Sequence, residues 1–259
     1  MLSKNSYRGL FVGSAVLLLG ISLVGCDEPS DGGSYQSHST SDLQVPKVTP
    51  VVLQEASEPD PLDWPYWRGP DFTGTSSLES GLIDNWDPRE GEGSNVSWKR
   101  DDLGGRSTPI VMNGRLYVMC RVDPESATEG ERVVCIDAVS GETIWENRFN
   151  VWLSDVPDTR VGWSSVVGDP ATGRVYALGV CGYFQCMDGE TGKTLWSVPM
   201  HERFGLLSTY GGRTNFPIVC DDVVIISAIV IGWGEMAKPA HRFVAFDKMT
   251  GEVIWFNGT

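Results

Sequence analysis

Three stretches of this chain align without a gap: Cys135-Ile-Asp137-Ala-Val-Ser140-Gly141-Glu-Thr-Ile-Trp145, Cys186-Met-Asp188-Gly-Glu-Thr191-Gly192-Lys-Thr-Leu-Trp196 and Ala245-Phe-Asp247-Lys-Met-Thr250-Gly251-Glu-Val-Ile-Trp255. Their Asp residues lie 51 and 59 positions apart. Asp and Ser/Thr side chains hydrogen-bond to nearby backbone in tight turns, and Gly supplies the left-handed position that closes them. Each stretch therefore reads as strand, turn, strand, with the Trp on the second strand.

Upstream of each stretch lies another pair of strands. Ser107 to Met112 and Arg115 to Cys120 flank Asn113-Gly114, a strong hairpin signal. Ser164 to Val167 and Arg174 to Leu178 flank Asp169 to Gly173, and Thr214 to Val219 and Val223 to Ile229 flank Asp221-Asp222. Four short strands over about 50 residues make a blade, and a period of that size with one Trp per unit marks a propeller or solenoid. The expected fold is all-β: a β-propeller of four-stranded antiparallel blades over residues 62–259. Val96-Ser97-Trp98-Lys99 reads as a further outer strand with its own Trp, a clasp that in a closed ring completes the last blade. Three blades follow it, where propellers have about 4–8. The expectation is an incomplete propeller, part of a longer protein.

The first 61 residues read as address and tether. Lys4 and Arg8 precede an uncharged run from Leu10 to Val24, too short at 1.5 Å per residue to span a bilayer comfortably. It ends in Leu23-Val24-Gly25-Cys26, which resembles the lipobox of bacterial lipoproteins. Residues 1–25 are then the signal peptide and Cys26 the lipid anchor, with Asp27 in a position that in some bacteria resembles an inner-membrane retention signal. From Cys26 to Pro61 the Ser, Pro, Gly and acidic content is too polar to bury a core, so this segment is expected to be a flexible linker. The implied location is the bacterial cell envelope, lipid-anchored, facing the periplasm or the surface.

Ala245 to Trp255 fits Ala-x-Asp-x-x-Thr-Gly-x-x-x-Trp and so resembles the PQQ-like repeat shared by quinoprotein dehydrogenases and propeller lipoproteins of the bacterial envelope. The other two stretches depart by Cys for Ala and once by Ser for Thr. The resemblance implies that each Trp packs between blades and docks on the turn of the next. That makes Trp98, Asp137, Gly141, Trp145, Asp188, Gly192, Trp196, Asp247, Gly251 and Trp255 architectural. Asp63-Trp64-Pro-Tyr-Trp67-Arg68-Gly69-Pro70, with Gly74 behind it, is similar to the opening of PQQ-like repeat proteins abundant in planctomycete-type bacteria. Such likeness specifies a superfamily, not an activity.

Composition narrows the function. Lys and Arg number 20 against 34 Asp and Glu, a net charge of −14, with no basic cluster to offset it. Such a chain is a poor partner for a phosphate backbone, and nucleic-acid binding is excluded. The resemblance implies, for an enzyme of this family, PQQ on the ring axis stacked on a Trp, beside an adjacent-Cys disulfide, with Ca²⁺ held by acidic and amide side chains and an Asp as base. Cys26, Cys120, Cys135, Cys181, Cys186 and Cys220 include no adjacent pair, and no Cys-x-x-Cys-His haem motif is present. No catalytic residue or metal ligand is assigned and no cofactor is expected. PQQ and Ca²⁺ enter only under the dehydrogenase alternative.

The favoured function is a non-catalytic scaffold for an envelope protein or small ligand. Gly105-Arg106-Ser107, Gly162-Trp163-Ser164 and Gly212-Arg213-Thr214 occupy equivalent positions at the start of the axial strands. Arg106, Trp163 and Arg213 are the ligand-binding candidates, since Arg offers planar donors for carboxylate or phosphate and Trp a stacking face. Trp152, Trp233 and Met236, on links and loops of the same face, are the protein-contact candidates. His201 and His241 lack metal-ligand spacing. Cys181 and Cys186 are candidates to face each other across a hairpin, in a compartment that permits oxidation.

Overall fold

A computed structural model describes residues 60–89, 94–151, 161–206, 215–230 and 240–258. Among these described residues, twelve strands build three antiparallel four-stranded sheets, each in sequential order from the inside outward. Blade 1 holds β1 (Ile110–Met112), β2 (Arg115–Val122), β3 (Gly130–Asp137) and β4 (Thr143–Asn150). Blade 2 holds β5 (Val167–Asp169), β6 (Arg174–Leu178), β7 (Tyr183–Asp188) and β8 (Thr194–Pro199). Blade 3 holds β9 (Ile218–Cys220), β10 (Val223–Val230), β11 (Ala240–Asp247) and β12 (Val253–Gly258). The chain is an all-β protein of propeller blades.

The repeated turn explains itself atom by atom. Asp137 Oδ1 accepts the N–H of Val139 (3.1 Å) and Ser140 (2.7 Å). Asp188 Oδ1 accepts those of Glu190 (3.0 Å) and Thr191 (2.8 Å), and Asp247 Oδ1 those of Met249 and Thr250, both at 2.8 Å. The Ser140 N–H holds the Asp137 carboxyl below its ordinary range. Gly141, Gly192 and Gly251 sit at φ of 74°, 71° and 74°, where a side chain is strained. In every blade the ladder slips by one residue just before the turn, at Cys135/Ile136, Cys186/Met187 and Ala245/Phe246. That bulge sets the Trp directly across from Cys135, Cys186 or Ala245.

The same glycines receive the tryptophans. A Cβ added to Gly141 would lie 2.6 Å from the Trp98 ring, one on Gly192 2.5 Å from Trp145, and one on Gly251 2.7 Å from Trp196. Each indole N–H then donates to the carbonyl just after the turn Asp: Trp98 to Ala138 (3.1 Å), Trp145 to Gly189 (3.0 Å), Trp196 to Lys248 (3.2 Å). Stacking, hydrogen bond and missing Cβ form one dock, repeated at each junction. Around it the blade faces press together: Tyr117, Cys135 and Trp145 pack with Val175 and Met187, and Tyr176, Phe184 and Cys186 with Val224 and Phe246.

Several expectations need correction. The axial strands are shorter than expected and begin later, at Ile110, Val167 and Ile218. Residues ahead of them bond to the neighbouring blade instead: Thr108 N–H donates to Ser165 Oγ (3.0 Å), and Ser164 Oγ–H to the Asn215 carbonyl. Val96 to Lys99 forms no ladder among the described residues, yet it delivers Trp98 to the same dock as its counterparts. A short helix, α1 (Met200–Phe204), carries an exposed His201 in the link from blade 2 to blade 3. Cys186 is a free thiol in the core between blades 2 and 3, whereas Cys181 packs with Val161 and Val180, so no bridge joins them. Burial pushes the Cys186 thiol up to about 12.

The aromatic opening segment is more than a lead-in. Trp64 pairs with Val111 through bonds of 2.8 and 3.0 Å, Pro65 accepts the Gly168 N–H at 2.9 Å, and the Tyr66 hydroxyl donates to Val219 at 3.3 Å. Val111, Gly168 and Val219 are each the middle residue of an innermost strand. One strap therefore crosses the axial edge of all three blades, with the Trp64 ring laid over Gly69. Asp63 anchors its start by accepting the Asn113 N–H at 2.8 Å, at the β1–β2 turn.

Candidate functional site

Because strands alternate in direction, the starts of the axial strands and the β2–β3 and β6–β7 connections share one face, opposite the docking turns. Arg106 and Trp163 meet there across the junction between blades 1 and 2. The guanidinium carbon of Arg106 lies 4.5 Å from the Trp163 ring centroid, a close cation–π stack. Arg106 is exposed and forms no ion pair among the described residues, while its guanidinium lies over the ring. Ser107 Oγ, next in the chain, is buried with no hydrogen-bond partner among the described residues. Arg213, Trp152, Trp233, Met236 and Cys26 lie outside the described residues.

What holds Trp163 in place was invisible in the repeat. Gly162, at φ 72°, packs so tightly that an added Cβ would lie 2.5 Å from the Arg121 nitrogen. Its N–H donates to Glu131 Oε1 at 2.8 Å, while the Val180 N–H donates to Glu131 Oε2 at 2.9 Å. Glu131 belongs to β3 of blade 1, and both of its donors belong to blade 2. Only 1% exposed, its carboxyl is pushed up to about 7 by burial, against the pull of the two N–H groups. One sequence signal existed: aligned on the turn Asp, Glu131 stands where the other blades have Gly182 and His241, a lone acid on an inward-facing position.

A second polar bolt lies on the outer strands. Asn147 Nδ2 donates to the Gly192 carbonyl (2.8 Å) and Thr194 Oγ1 (3.0 Å), and the buried Gln185 bridges Asn147 and Thr194. Arg100 does the equivalent work one junction earlier, donating to the Gly141 carbonyl at 2.8 Å and to Thr143. Both residues stand two positions after a docking Trp. These contacts hold blades in register and carry no chemistry of their own.

The Arg106–Trp163 pair, an exposed guanidinium backed by an indole, fits a planar anion. No group of three His, Cys, Asp or Glu side chains that would hold a metal ion occurs among the described residues. For PQQ with Ca²⁺ the fit is poor among the described residues: the Trp163 ring already carries Arg106, and no metal-ligand group stands beside it.

Comparison with known proteins agrees with this architecture. Residues 79–255 match the family described as Outer membrane protein assembly factor BamB. The dehydrogenase subunit of alcohol dehydrogenase (quinone) from Gluconobacter oxydans (strain 621H) is 26% identical over 167 residues, which is 62% of this chain and 20% of that protein. The chain thus spans about a fifth of the length of the curated relatives it matches. Among solved structures, europium-containing methanol dehydrogenase is 20% identical, with a TM-score of 0.46 over 64% of this chain and 27% of the other. Quinohemoprotein alcohol dehydrogenase from Comamonas testosteroni is 23% identical, with a TM-score of 0.43 over 60% and 21%.

Proposed function

The chain belongs to the PQQ-repeat family described as Outer membrane protein assembly factor BamB, and from that membership we propose that it serves as a non-catalytic, lipid-anchored binding propeller of the bacterial envelope. Arg106 and Trp163 are its recognition pair, for a planar anion carried by a small ligand or by an envelope protein's side chain. The observation that carries this reading is the exposed guanidinium stacked on an indole, with no acidic partner among the described residues. An Arg so placed keeps its fork of donors for an incoming carboxylate or phosphate. Anchoring at Cys26 is supported by the Leu23-Val24-Gly25-Cys26 sequence. Mass spectrometry of the envelope-extracted protein is expected to find diacylglyceryl on Cys26, and an unmodified Cys26 rules the anchor out.

The second reading is a quinoprotein dehydrogenase, favoured by the 26% identity to the quinone-linked alcohol dehydrogenase subunit. Calorimetric titration separates the two. Benzoate is expected to bind the wild type, and Arg106→Ala and Trp163→Ala to weaken it about tenfold each, the ~1–2 kcal/mol of one charged hydrogen bond or one cation–π stack. Loaded instead with PQQ and Ca²⁺, the protein is expected to give no dye-linked alcohol oxidation. Turnover there overturns the binding-only reading, and benzoate affinity unchanged in both variants removes the recognition pair.

A further inference from the structure

We infer that Glu131 is a proton-operated latch, closing the junction between blades 1 and 2 and thereby positioning Trp163 under Arg106. The positioning half rests on the reading of Arg106 and Trp163 as a recognition pair. The latch itself is independent of that reading: it stands on the two inter-blade hydrogen bonds of a buried Glu131.

Glu131 reaches from blade 1 to two separate segments of blade 2, the approach to β5 at Gly162 and the β6–β7 turn at Val180. A glycine clears its path: an added Cβ on Gly179 would lie 2.5 Å from Glu131 Oε2. Gly162 is equally confined by the backbone of Cys120 and Arg121, so a shift of its N–H away from Glu131 carries Trp163 with it.

Neither protonation state is fully satisfied. The ionised carboxylate is buried and forms no ion pair among the described residues. The protonated form has both oxygens already taken by N–H donors, so its proton shares one of them. Among the described residues, the charged and titratable groups around it are few. Arg121 stands opposite Glu131 on β2 and is paired with Glu129. On β4 the opposite residue is the uncharged Phe149, whose ring meets Tyr183 of blade 2, and Cys181 follows Val180. With no cation among the described residues aimed at the carboxylate, burial dominates and its affinity for a proton rises to about 7. An opened junction lets water solvate the group and returns it toward the ordinary carboxylate range. Closed therefore binds the proton more tightly than open, and rising pH favours opening.

Amide hydrogen exchange on the full-length protein between pH 5 and 8 tests this. Beyond the intrinsic base dependence, the open fraction at Gly162 and Val180 is expected to rise by up to about tenfold per pH unit, the one-proton limit, and to level off above about 7. Gly192, whose N–H is held by the Asp188 carbonyl, serves as the control and stays flat. In Glu131→Gln the Gly162 and Val180 amides lose their pH dependence, and benzoate affinity, which weakens over the same interval in the wild type, becomes constant. Amides at Gly162 and Val180 that ignore pH in the wild type overturn the latch even if benzoate binds. Amides that respond while benzoate binds at no pH support the latch and overturn the ligand reading instead.

Discussion

Trp145→Ala is expected to lower the unfolding free energy by about 3–5 kcal/mol, the range for deleting a buried large aromatic side chain. Three contributions meet in this ring. It is 9% exposed, its N–H donates to Gly189, and its face lies on Gly192 with no Cβ between. Removing it opens a cavity at the junction between blades 1 and 2 and takes one donor from the Gly189 carbonyl, which keeps those of Tyr117 and Arg115. Gly192→Ala attacks the same dock from the other side, since the new methyl has to displace the ring and sits at φ 71°. Because both substitutions break one contact, the double variant is expected to lose less than the sum of the singles. Urea unfolding measures all three. A loss below about 1 kcal/mol in Trp145→Ala contradicts the dock as the principal inter-blade joint.

The second large effect concerns pH. Glu131 holds its proton in the folded state up to about 7, against 4.5 for the unperturbed group. For a carboxyl raised by folding, the stabilising contribution is complete below the unfolded value and is lost as pH climbs through the folded one. Stability is thus expected to fall between pH 5 and 8, by as much as about 3 kcal/mol from this group alone. Glu131→Gln flattens most of that slope. Asp63, raised mainly by burial, works in the same direction, so Asp63→Asn added to Glu131→Gln removes more. Asp102, drawn down to about 2 by its hydrogen bond to Arg100, has the opposite sign and acts only in strong acid, where its exposure keeps the effect small. Urea midpoints that rise from pH 5 to pH 8 in the wild type sink this prediction.

The blade was legible because its defining turn is local. Asp, Ser or Thr, Gly and Trp sit within eleven residues, and their hydrogen bonds close inside that span, so the pattern survives translation into sequence. The docks were legible through repetition, and Trp98, Trp145 and Trp196 occupy them. The lengths of the axial strands were not. Thr108, Ser164 and Ser165 read as strand by their neighbours, but their bonds run sideways to another blade, and nothing within one repeat announces that. The pairing of Arg106 with Trp163 was reachable from equivalent positions in the repeat. Glu131 was harder, because a site formed by what differs between repeats is hidden by a search for what they share.

The strap has a temporal side. Tyr66 and Val219 are 153 residues apart in the chain, so at about 5–20 residues per second roughly 8–30 s separate their synthesis. Until β9 is made, the strap has only part of its seat. Contacts of such long sequence separation form late, after the local hairpins have settled. Each blade is built from neighbours in sequence and can close as it emerges, whereas the segment made before them finishes last. The nascent chain therefore carries innermost strand edges without their strap contacts for seconds, a window open to mispairing.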